Sequence, residues 1–368
     1  MTDVFRFCDE LGPTSVLHIY VPGPGLRAIL VVDNVAAGPA IGGVRMAEDV
    51  NLEECCRLAR AMTLKSAAAG LPHGGGKAVI FGDPKQPVDR KEQLVRAFAC
   101  AIDPIADYIP GPDMGTDETC MAWIRDEIGR AVGLPAELGG IPLDKIGATG
   151  FGLAVCAEAA QEAAGIDLQG ARVVVQGFGS VGKHAARFLA EKGAVLIAAS
   201  DSTGAVVDPD GIDVEELIAI KDERGQVRDY RKGSKIERDA VIDVECEIWI
   251  PAARPDVICV DNVDRLRTKL VLQGANIPVT PKAETRLHAR GILTIPDFIA
   301  NAGGVICAAV EYRGGTPKAA FEAIADKISS NTAQVLEETV GAKNPPRQAA
   351  MDLALRRVRS AMRYRRWS

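Results

Sequence analysis

The segment Arg172-Val-Val-Val-Gln-Gly177-Phe178-Gly179-Ser180-Val181-Gly182 constrains the fold more than any other part of the chain. A short β-branched run enters G-x-G-x-x-G, and residues 183–192 then carry a helical pattern. A glycine run alone is a common structural turn. Between a strand and a helix it fits a dinucleotide-binding βαβ unit, where each glycine has a task. Gly177 permits the tight turn, Gly179 lets a pyrophosphate reach the backbone, and Gly182 lets helix and strand pack closely. The helix N-terminus then stabilises phosphate charge. Asp201 follows the next apolar run, 24 residues after Gly177. That spacing suits a carboxylate accepting from the adenosine ribose hydroxyls. Asp201 argues for NAD, because a carboxylate repels a 2′-phosphate; Ser200 and Ser202 leave NADP open.

The alternation of apolar run, turn and helix continues downstream, with candidate strands at 172–176, 195–199, 248–251, 270–272 and 293–295. Such alternation implies a parallel sheet with crossover helices. Upstream, strands read at 27–33 and 78–81, and helices at 51–69, 91–106 and 117–131. The Gly/Pro-rich stretch 133–142 marks a boundary, and an alanine-rich helix at 149–164 follows it. The fold class is therefore α/β with two domains: residues 1–142, and a doubly wound Rossmann-type domain over 143–335. Residues 336–368 read as helices that pack back on the first domain.

The chain's 368 residues suffice for a sizeable core in each domain. A net charge of −6 gives no global footprint for nucleic acid. The exception is the basic end, with Arg356, Arg357, Arg359, Arg363, Arg365 and Arg366. It reads as the solvated face of a last helix whose apolar side carries Met351, Leu355, Val358 and Met362. Contact with nucleic acid or an acidic membrane is the alternative. Nine scattered cysteines, with no Cys-x-x-Cys and no Cys/His cluster, point to reduced thiols in the cytoplasm and to no metal site. The first residues lack a secretion-signal layout, and no apolar run is long enough to cross a bilayer.

Two lysines stand where burial is expected. Asn51 and Glu54 make a capping-box-like start for a helix whose inward face carries Leu58, Met62 and Ser66, and Lys65 falls on or beside that face. Lys77 follows three glycines and opens Ala-Val-Ile-Phe, a short run that reads as a buried strand. A buried ammonium is costly unless it is paired or put to use. Snorkelling to solvent is the plain alternative, and it suits Lys65 better than Lys77. Asp113 lies in a Pro/Gly loop before a helix that Thr116 or Asp117 can cap, which leaves Asp113 for other work. Asn276 and Asn301 follow the last two candidate strands beside glycines, where ligands of open α/β sheets bind; each also suits a simple turn.

Together these segments resemble the glutamate/leucine/phenylalanine/valine dehydrogenase superfamily, from about Gly38 to the end. Gly38-Pro-Ala-Ile41-Gly42-Gly43-Val-Arg45 and Gly74-Gly-Gly-Lys77 are similar to the leucine and phenylalanine enzymes. Gly111-Pro-Asp113-Met-Gly-Thr116, Leu138-Gly-Gly, Ala148-Thr149-Gly150, Gly274-Ala-Asn276 and the closing Ala349-Ala-Met-Asp-Leu-Ala-Leu-Arg-Arg-Val358 are more like glutamate dehydrogenases. The resemblance implies oxidative deamination of an L-amino acid to a 2-oxo acid and ammonium with NAD, NADP not being excluded. It makes residues 1–142 the substrate and oligomerisation domain and implies a homo-oligomer, with a hexamer favoured. It also implies that Lys65 holds the substrate α-carboxylate, that Lys77 is the catalytic lysine and that Asp113 is the catalytic aspartate. Burial beside a second cation is expected to lower a lysine from about 10.4 to about 7–8, where it can act as a base. Thr149, Asn276 and Asn301 are implied near the nicotinamide, and Gly42 and Gly43 near the substrate.

One departure bears on the substrate. Where glutamate dehydrogenases carry a lysine and a serine for the side-chain carboxylate, this chain has Ile41 and Ala308. An apolar pocket of Ile41, Met62, Val305 and Ala308 is therefore expected, and with it a leucine-, valine- or phenylalanine-like substrate. Glutamate dehydrogenase proper and a non-catalytic NAD-binding regulatory protein are the alternatives. A hydroxy-acid dehydrogenase using His73 as base is a third.

Overall fold

The computed structural model describes residues 5–342 and 344–365. The chain forms two compact units. One holds the residues up to Pro142 with Val305–Ala320 and those from Met351 on; the other holds Leu143–Gly304 and Phe321–Ala350.

The first unit contains β1 (Ser15–Val21), β2 (Leu26–Asn34), β3 (Ala40–Ala47), α1 (Leu52–Ala68), β4 (Gly74–Phe81), α2 (Val88–Ile102), β5 (Tyr108–Pro112) and α3 (Glu118–Ile128). Its five strands pair in the order β1-β2-β4-β3-β5. The pairs β1/β2 and β2/β4 are antiparallel, and β3 runs parallel to β4 and β5. Alternation along the strands sorts the side chains onto two faces. Leu30, Val32, Val44, Met46 and Ile80 pack with Phe98, Met121 and Ile124 beneath α2 and α3. Ile29, Val31 and Val79 pack with Cys55 and Ala59 of α1. A buried aliphatic side chain contributes about 1.5–3 kcal/mol, so a one-residue slip that exchanged the faces would be costly.

The strand containing Lys77 begins earlier than its apolar run suggests. The three glycines lie inside β4, not ahead of it. A methyl group on Gly75 would fall 2.0 Å from the Thr63 backbone nitrogen, and one on Gly76 2.9 Å from the Tyr108 ring. The bare backbone thus admits α1 on one face and Tyr108 on the other. Helix α1 starts at Asn51, whose side chain accepts from the Glu54 N–H at 2.9 Å. Arg357 donates to the Ala67 and Ala68 carbonyls at its far end, where the helix dipole favours a cation.

The second unit contains α4 (Leu143–Ile146), α5 (Ala148–Ala160), β6 (Arg172–Gln176), α6 (Ser180–Glu191), β7 (Val195–Ser200), β8 (Ala205–Val207), α7 (Val214–Asp222), β9 (Ser234–Ile236), β10 (Ile248–Pro251), β11 (Leu270–Leu272), α8 (Pro281–Ala289), β12 (Leu293–Ile295) and α9 (Asp297–Ala300). The helices α10 (Gly303–Tyr312), α11 (Pro317–Ala342) and α12 (Pro346–Met362) complete the chain. The seven-stranded sheet runs β12-β11-β10-β6-β7-β8-β9. Its first five strands are parallel, and β8 and β9 extend the edge antiparallel. With β7 on one side of β6 and β10 on the other, strand order reverses at β6, the switch point of a doubly wound sheet.

Three arginines of the basic end are used within the first unit. Besides Arg357, Arg359 pairs with Glu10 at 2.6 Å, and Arg365 donates to the Val35 and Ala36 carbonyls. Arg366 and the two residues after it lie outside the described residues. Among the described residues no helix is long and apolar enough to cross a membrane, and no group of side chains is arranged to hold a metal ion.

Candidate active site

In the first unit, β3, β4 and the end of β5 place three charged side chains together. Ile41, Gly43 and Arg45 alternate along β3, and Lys77 sits in β4 two residues after Gly75. Asp113 follows directly on β5. The Lys77 ammonium bonds to Asp113 Oδ2, and Arg45 Nε donates to the same oxygen at 3.2 Å. Arg45 Nη1 also bonds to Glu54 on α1. Lys77 is 6% exposed. Burial alone would push the Asp113 carboxyl up, but the charge and hydrogen bond of Lys77, with Arg45 behind, hold it below the usual carboxylate range. The group in contact with Lys77 is thus an anion, where the sequence led us to expect a second cation. Asp117, and not Asp113, caps α3, accepting from the Cys120 N–H at 3.0 Å. Gly43 keeps the pair compact, since a methyl there would lie 2.8 Å from Asp113 Cβ and 3.1 Å from Lys77 Nζ. The Gly42 carbonyl accepts from the Tyr108 hydroxyl at 2.7 Å.

The remaining candidates of this unit are placed by burial. Ile41 is 2% exposed; Val305 and Ala308 are buried on α10, and Met62 and Lys65 are half-buried on α1. His73 is a core histidine: its Nδ1 is bonded to the Pro39 carbonyl and its ring meets Tyr312 edge-on. Arg45 and Glu311 escaped sequence reasoning. The buried Glu311 carboxylate accepts from the Gly133, Leu134 and Ile141 N–H groups at 2.7–3.1 Å. Reading 40–47 as a period-two strand would have put Arg45 on the face of Gly43.

In the second unit the Gly-rich turn fits a dinucleotide on three counts. Gly177 has φ +99°, and a methyl there would strike Ala253 at 2.7 Å. A methyl on Gly182 would come 2.1 Å from the Gly177 carbonyl, so strand and helix pack on bare backbone. Gly179, the exposed N-cap of α6, has nothing within 4 Å of its Cβ position, which leaves room beside the helix N-terminus. Ser180 and Val181 begin α6, and Phe178 is buried behind the turn.

Asp201 does not stand ready for ribose hydroxyls. Its Oδ1 accepts from Thr203 N (2.9 Å) and Thr203 Oγ1 (2.6 Å); its Oδ2 accepts from Lys221 Nζ (2.7 Å) and Val227 N (3.0 Å). An ionised carboxylate has about four acceptor sites, and all are taken. Burial pushes the Asp201 carboxyl up, but the bonds from Lys221 and Thr203 outweigh it and bring it down to about 2. Ser202 is exposed beside it.

At the carboxyl ends of β11 and β12, the buried Asn301 side chain donates to the Gly274 and Ala275 carbonyls and to Asn276 Oδ1, at 3.1–3.3 Å. Thr149, half-buried at the start of α5, lies against Gly304. Ile277 has φ +45°, a strained conformation for a β-branched residue. Its N–H donates to Asp297 Oδ2 at 2.9 Å, and Asp297 Oδ1 accepts from Arg347 at 2.9 Å. Arg347 also meets Glu284 at 2.6 Å and Gln273 at 3.0 Å. Sequence spacing gave no signal for this clamp.

A dinucleotide turn in one unit and a lysine–aspartate pair in the other define the class, an oxidoreductase working with NAD or NADP. Residues 13–130 match the family described as Glu/Leu/Phe/Val dehydrogenase, dimerisation domain, and residues 139–366 match Glutamate/Leucine/Phenylalanine/Valine dehydrogenase. The chain belongs to this family, whose members oxidise CH–NH₂ groups of amino acids. It is 39% identical to a glutamate dehydrogenase of Aeropyrum pernix, over 91% of this chain and 85% of that one. It is 37% identical to an NADP-specific glutamate dehydrogenase of Saccharolobus shibatae, over 90% and 83%. Among solved structures, a hetero-hexameric glutamate dehydrogenase from Thermus thermophilus in a leucine-bound form superposes with a TM-score of 0.84 at 30% identity, covering 95% of this chain and 89% of that one. By name, these relatives favour the glutamate alternative over the apolar-substrate expectation.

Proposed function

We propose that this protein oxidatively deaminates an L-amino acid, taking the amino acid, water and NAD(P)⁺ to the 2-oxo acid, ammonium, NAD(P)H and a proton. The observation that carries this reading is the buried Lys77–Asp113 contact backed by Arg45. A proton can pass between the two groups without a water bridge, so Asp113 can exchange protons with the amino nitrogen while Lys77 activates the attacking water. Arg45 keeps Asp113 ionised and oriented, and Lys65 binds the α-carboxylate. The dinucleotide, held by Gly177 to Gly182 with Thr149, Asn276 and Asn301 at its nicotinamide end, supplies the two-electron acceptor when bound.

For the side chain we propose an apolar pocket of Ile41, Met62, Val305 and Ala308. A carboxylate buried against these residues without a partner would cost several kcal/mol. Glutamate is the second reading, favoured by the names of the relatives. A panel of L-amino acids with NAD and with NADP, followed as reduced-nicotinamide absorbance, separates the two. A kcat/KM for glutamate far above those for leucine, valine and phenylalanine would sink the apolar pocket. No turnover of any amino acid by folded protein that binds NADH or NADPH would favour a non-catalytic role. A homo-oligomer, tested first as a hexamer by sedimentation, belongs to the same proposal.

A further inference from the structure

Both cations at the catalytic pair meet the same oxygen of the carboxylate. Lys77 Nζ and Arg45 Nε donate to Asp113 Oδ2, and among the described residues no side chain bonds to Oδ1. The Met114 N–H also favours the ionised carboxyl. An ionised carboxylate has about four acceptor sites, so Oδ1 keeps a lone pair for a substrate group.

Arg45 helps to decide that division, and Arg45 is itself held. Its Nη1 bonds to Glu54 Oε1 on the first turn of α1. Nε and Nη1 belong to one planar, rigid fork, so a contact on each fixes the plane of the guanidinium. The Nε bond alone, at 3.2 Å, is at the long end of the normal range and leaves the group free to turn. Glu54 has a fixed footing of its own, because its N–H donates to Asn51 Oδ1 at 2.9 Å in the helix cap. The Arg45 and Asp113 side chains are each 18% exposed and that of Glu54 33%, so the chain of contacts is partly shielded from solvent and salt.

We propose that Glu54 is a positioning residue of the reaction. It holds the Arg45 fork against Asp113 Oδ2, so that Oδ1 is the oxygen that exchanges a proton with the amino nitrogen. The substrate N–H bond breaks as the Oδ1–H bond forms, and the same proton returns to nitrogen as the C–N bond breaks. Glu54 acts through Arg45 and not by contact with the reacting atoms. The inference rests on the dehydrogenase reading of the chain and adds to it the residue that orients Asp113.

The test is steady-state kinetics of the full chain with the best substrate of the amino-acid panel, in H₂O and in D₂O. Glu54→Ala is expected to lower kcat about ten-fold to 10²-fold, the effect of a misplaced proton-transfer group. Its KM for the amino acid should stay within about three-fold of wild type, since Lys65 holds the α-carboxylate. The solvent isotope effect on kcat should rise, because proton transfer has become the slow step. Glu54→Gln keeps an acceptor oxygen for Arg45 and should restore kcat to within about three-fold of wild type. Arg45→Lys lacks the fork and should match Glu54→Ala, and the two losses should not add in the double variant. Where Glu54→Ala does not fold, Arg45→Lys with its isotope effect carries the same test. A Glu54→Ala enzyme that loses stability but keeps kcat and the isotope effect of wild type overturns the assignment. So do equal losses in Glu54→Ala and Glu54→Gln, or losses that add in the double variant. Folded wild type that binds NADH or NADPH but turns over no amino acid fails the dehydrogenase reading itself, and this inference with it.

Discussion

Replacing Gly43 by alanine tests whether the Lys77–Asp113 pair does the chemistry. Gly43 lies in β3 and is not among the positive-φ glycines, so alanine brings no backbone penalty there. The effect is steric. The new methyl would sit 2.8 Å from Asp113 Cβ, 3.0 Å from the Pro112 carbonyl and 3.1 Å from Lys77 Nζ. Carbon atoms pack at about 3.5–4.0 Å, so the pair must open by roughly 0.5–1 Å. Overpacking of this kind costs about 1–3 kcal/mol, and a misplacement near 1 Å lowers rate by about 10²-fold. With the best substrate from the panel at saturation, kcat should fall by about that factor while Tm drops only a few degrees. Affinity for NADH and NADPH, which the proposal assigns to the Gly177–Gly182 turn of the other unit, should hold. A variant that loses stability but keeps kcat within about three-fold of wild type would show that the contact is structural and that catalysis lies elsewhere.

Ile41→Lys should raise the glutamate-to-leucine ratio of kcat/KM by about ten-fold or more if Ile41 faces the substrate side chain, since one charge-assisted contact is worth about 1.5–3 kcal/mol; an unchanged ratio removes Ile41 from the pocket. Arg347→Met leaves Asp297 and Glu284, 9% and 11% exposed, without their cation. Calorimetry should show a loss of about 3–5 kcal/mol, and weaker NADH binding should accompany it if the clamp holds the Asn276 loop. Glu311→Gln keeps at most one oxygen for three backbone N–H donors; the buried N–H left over should cost about 1–3 kcal/mol in a denaturant titration. The folded Asp201 carboxyl lies at about 2, below its unfolded value of about 3.9. Its stabilisation is therefore complete above pH 4 or so and is lost as pH falls towards 2. Asp201→Asn should flatten the pH dependence of unfolding in that window, and an unaltered slope would count against the pairing.

The second unit was readable because its parallel strands are buried on both faces. Residues 172–176, 248–251, 270–272 and 293–295 are short apolar runs that end where a ligand loop starts, and β6, β10, β11 and β12 occupy those positions. The first unit was harder to read. β3 contains Gly42 and Gly43, and β5 contains Pro110, Gly111 and Pro112, residues that signal turns when taken alone. Both are strands because β3 pairs along its length with β4 on one side and β5 on the other, and at Gly42 the Gly76 carbonyl leaves no room for a side chain. The charged candidates in each unit were legible in the same uneven way. Lys77 and Asp113 stood out as charges in an apolar or glycine-rich setting. Arg45 meets Asp113 across 68 residues, Lys221 meets Asp201 across 20, and Arg347 meets Asp297 across 50. Only the fold brings these partners together, and Asp201 looked like a free carboxylate because Lys221 and Val227 are remote, although Thr203 stands only two residues away.

Charge balance on the α1 face of the first sheet bears on the substrate. Lys77 and Arg45 converge on Asp113, and Arg45 also meets Glu54, so two cations stand against two anions. That group is neutral before a substrate arrives. In the proposed pocket, Lys65 answers the α-carboxylate, and the amino group returns its proton through Asp113. A second carboxylate would then meet Ile41, 2% exposed, and the buried Ala308. Neither offers charge or a side-chain donor, and moving a carboxylate from water to such surroundings is unfavourable by several kcal/mol. Drawing Arg45 away to meet it would leave Glu54 short of its partner and Asp113 with Lys77 alone. Efficient turnover of glutamate would therefore require a cation that these residues do not carry, which is why the amino-acid panel tests the pocket directly.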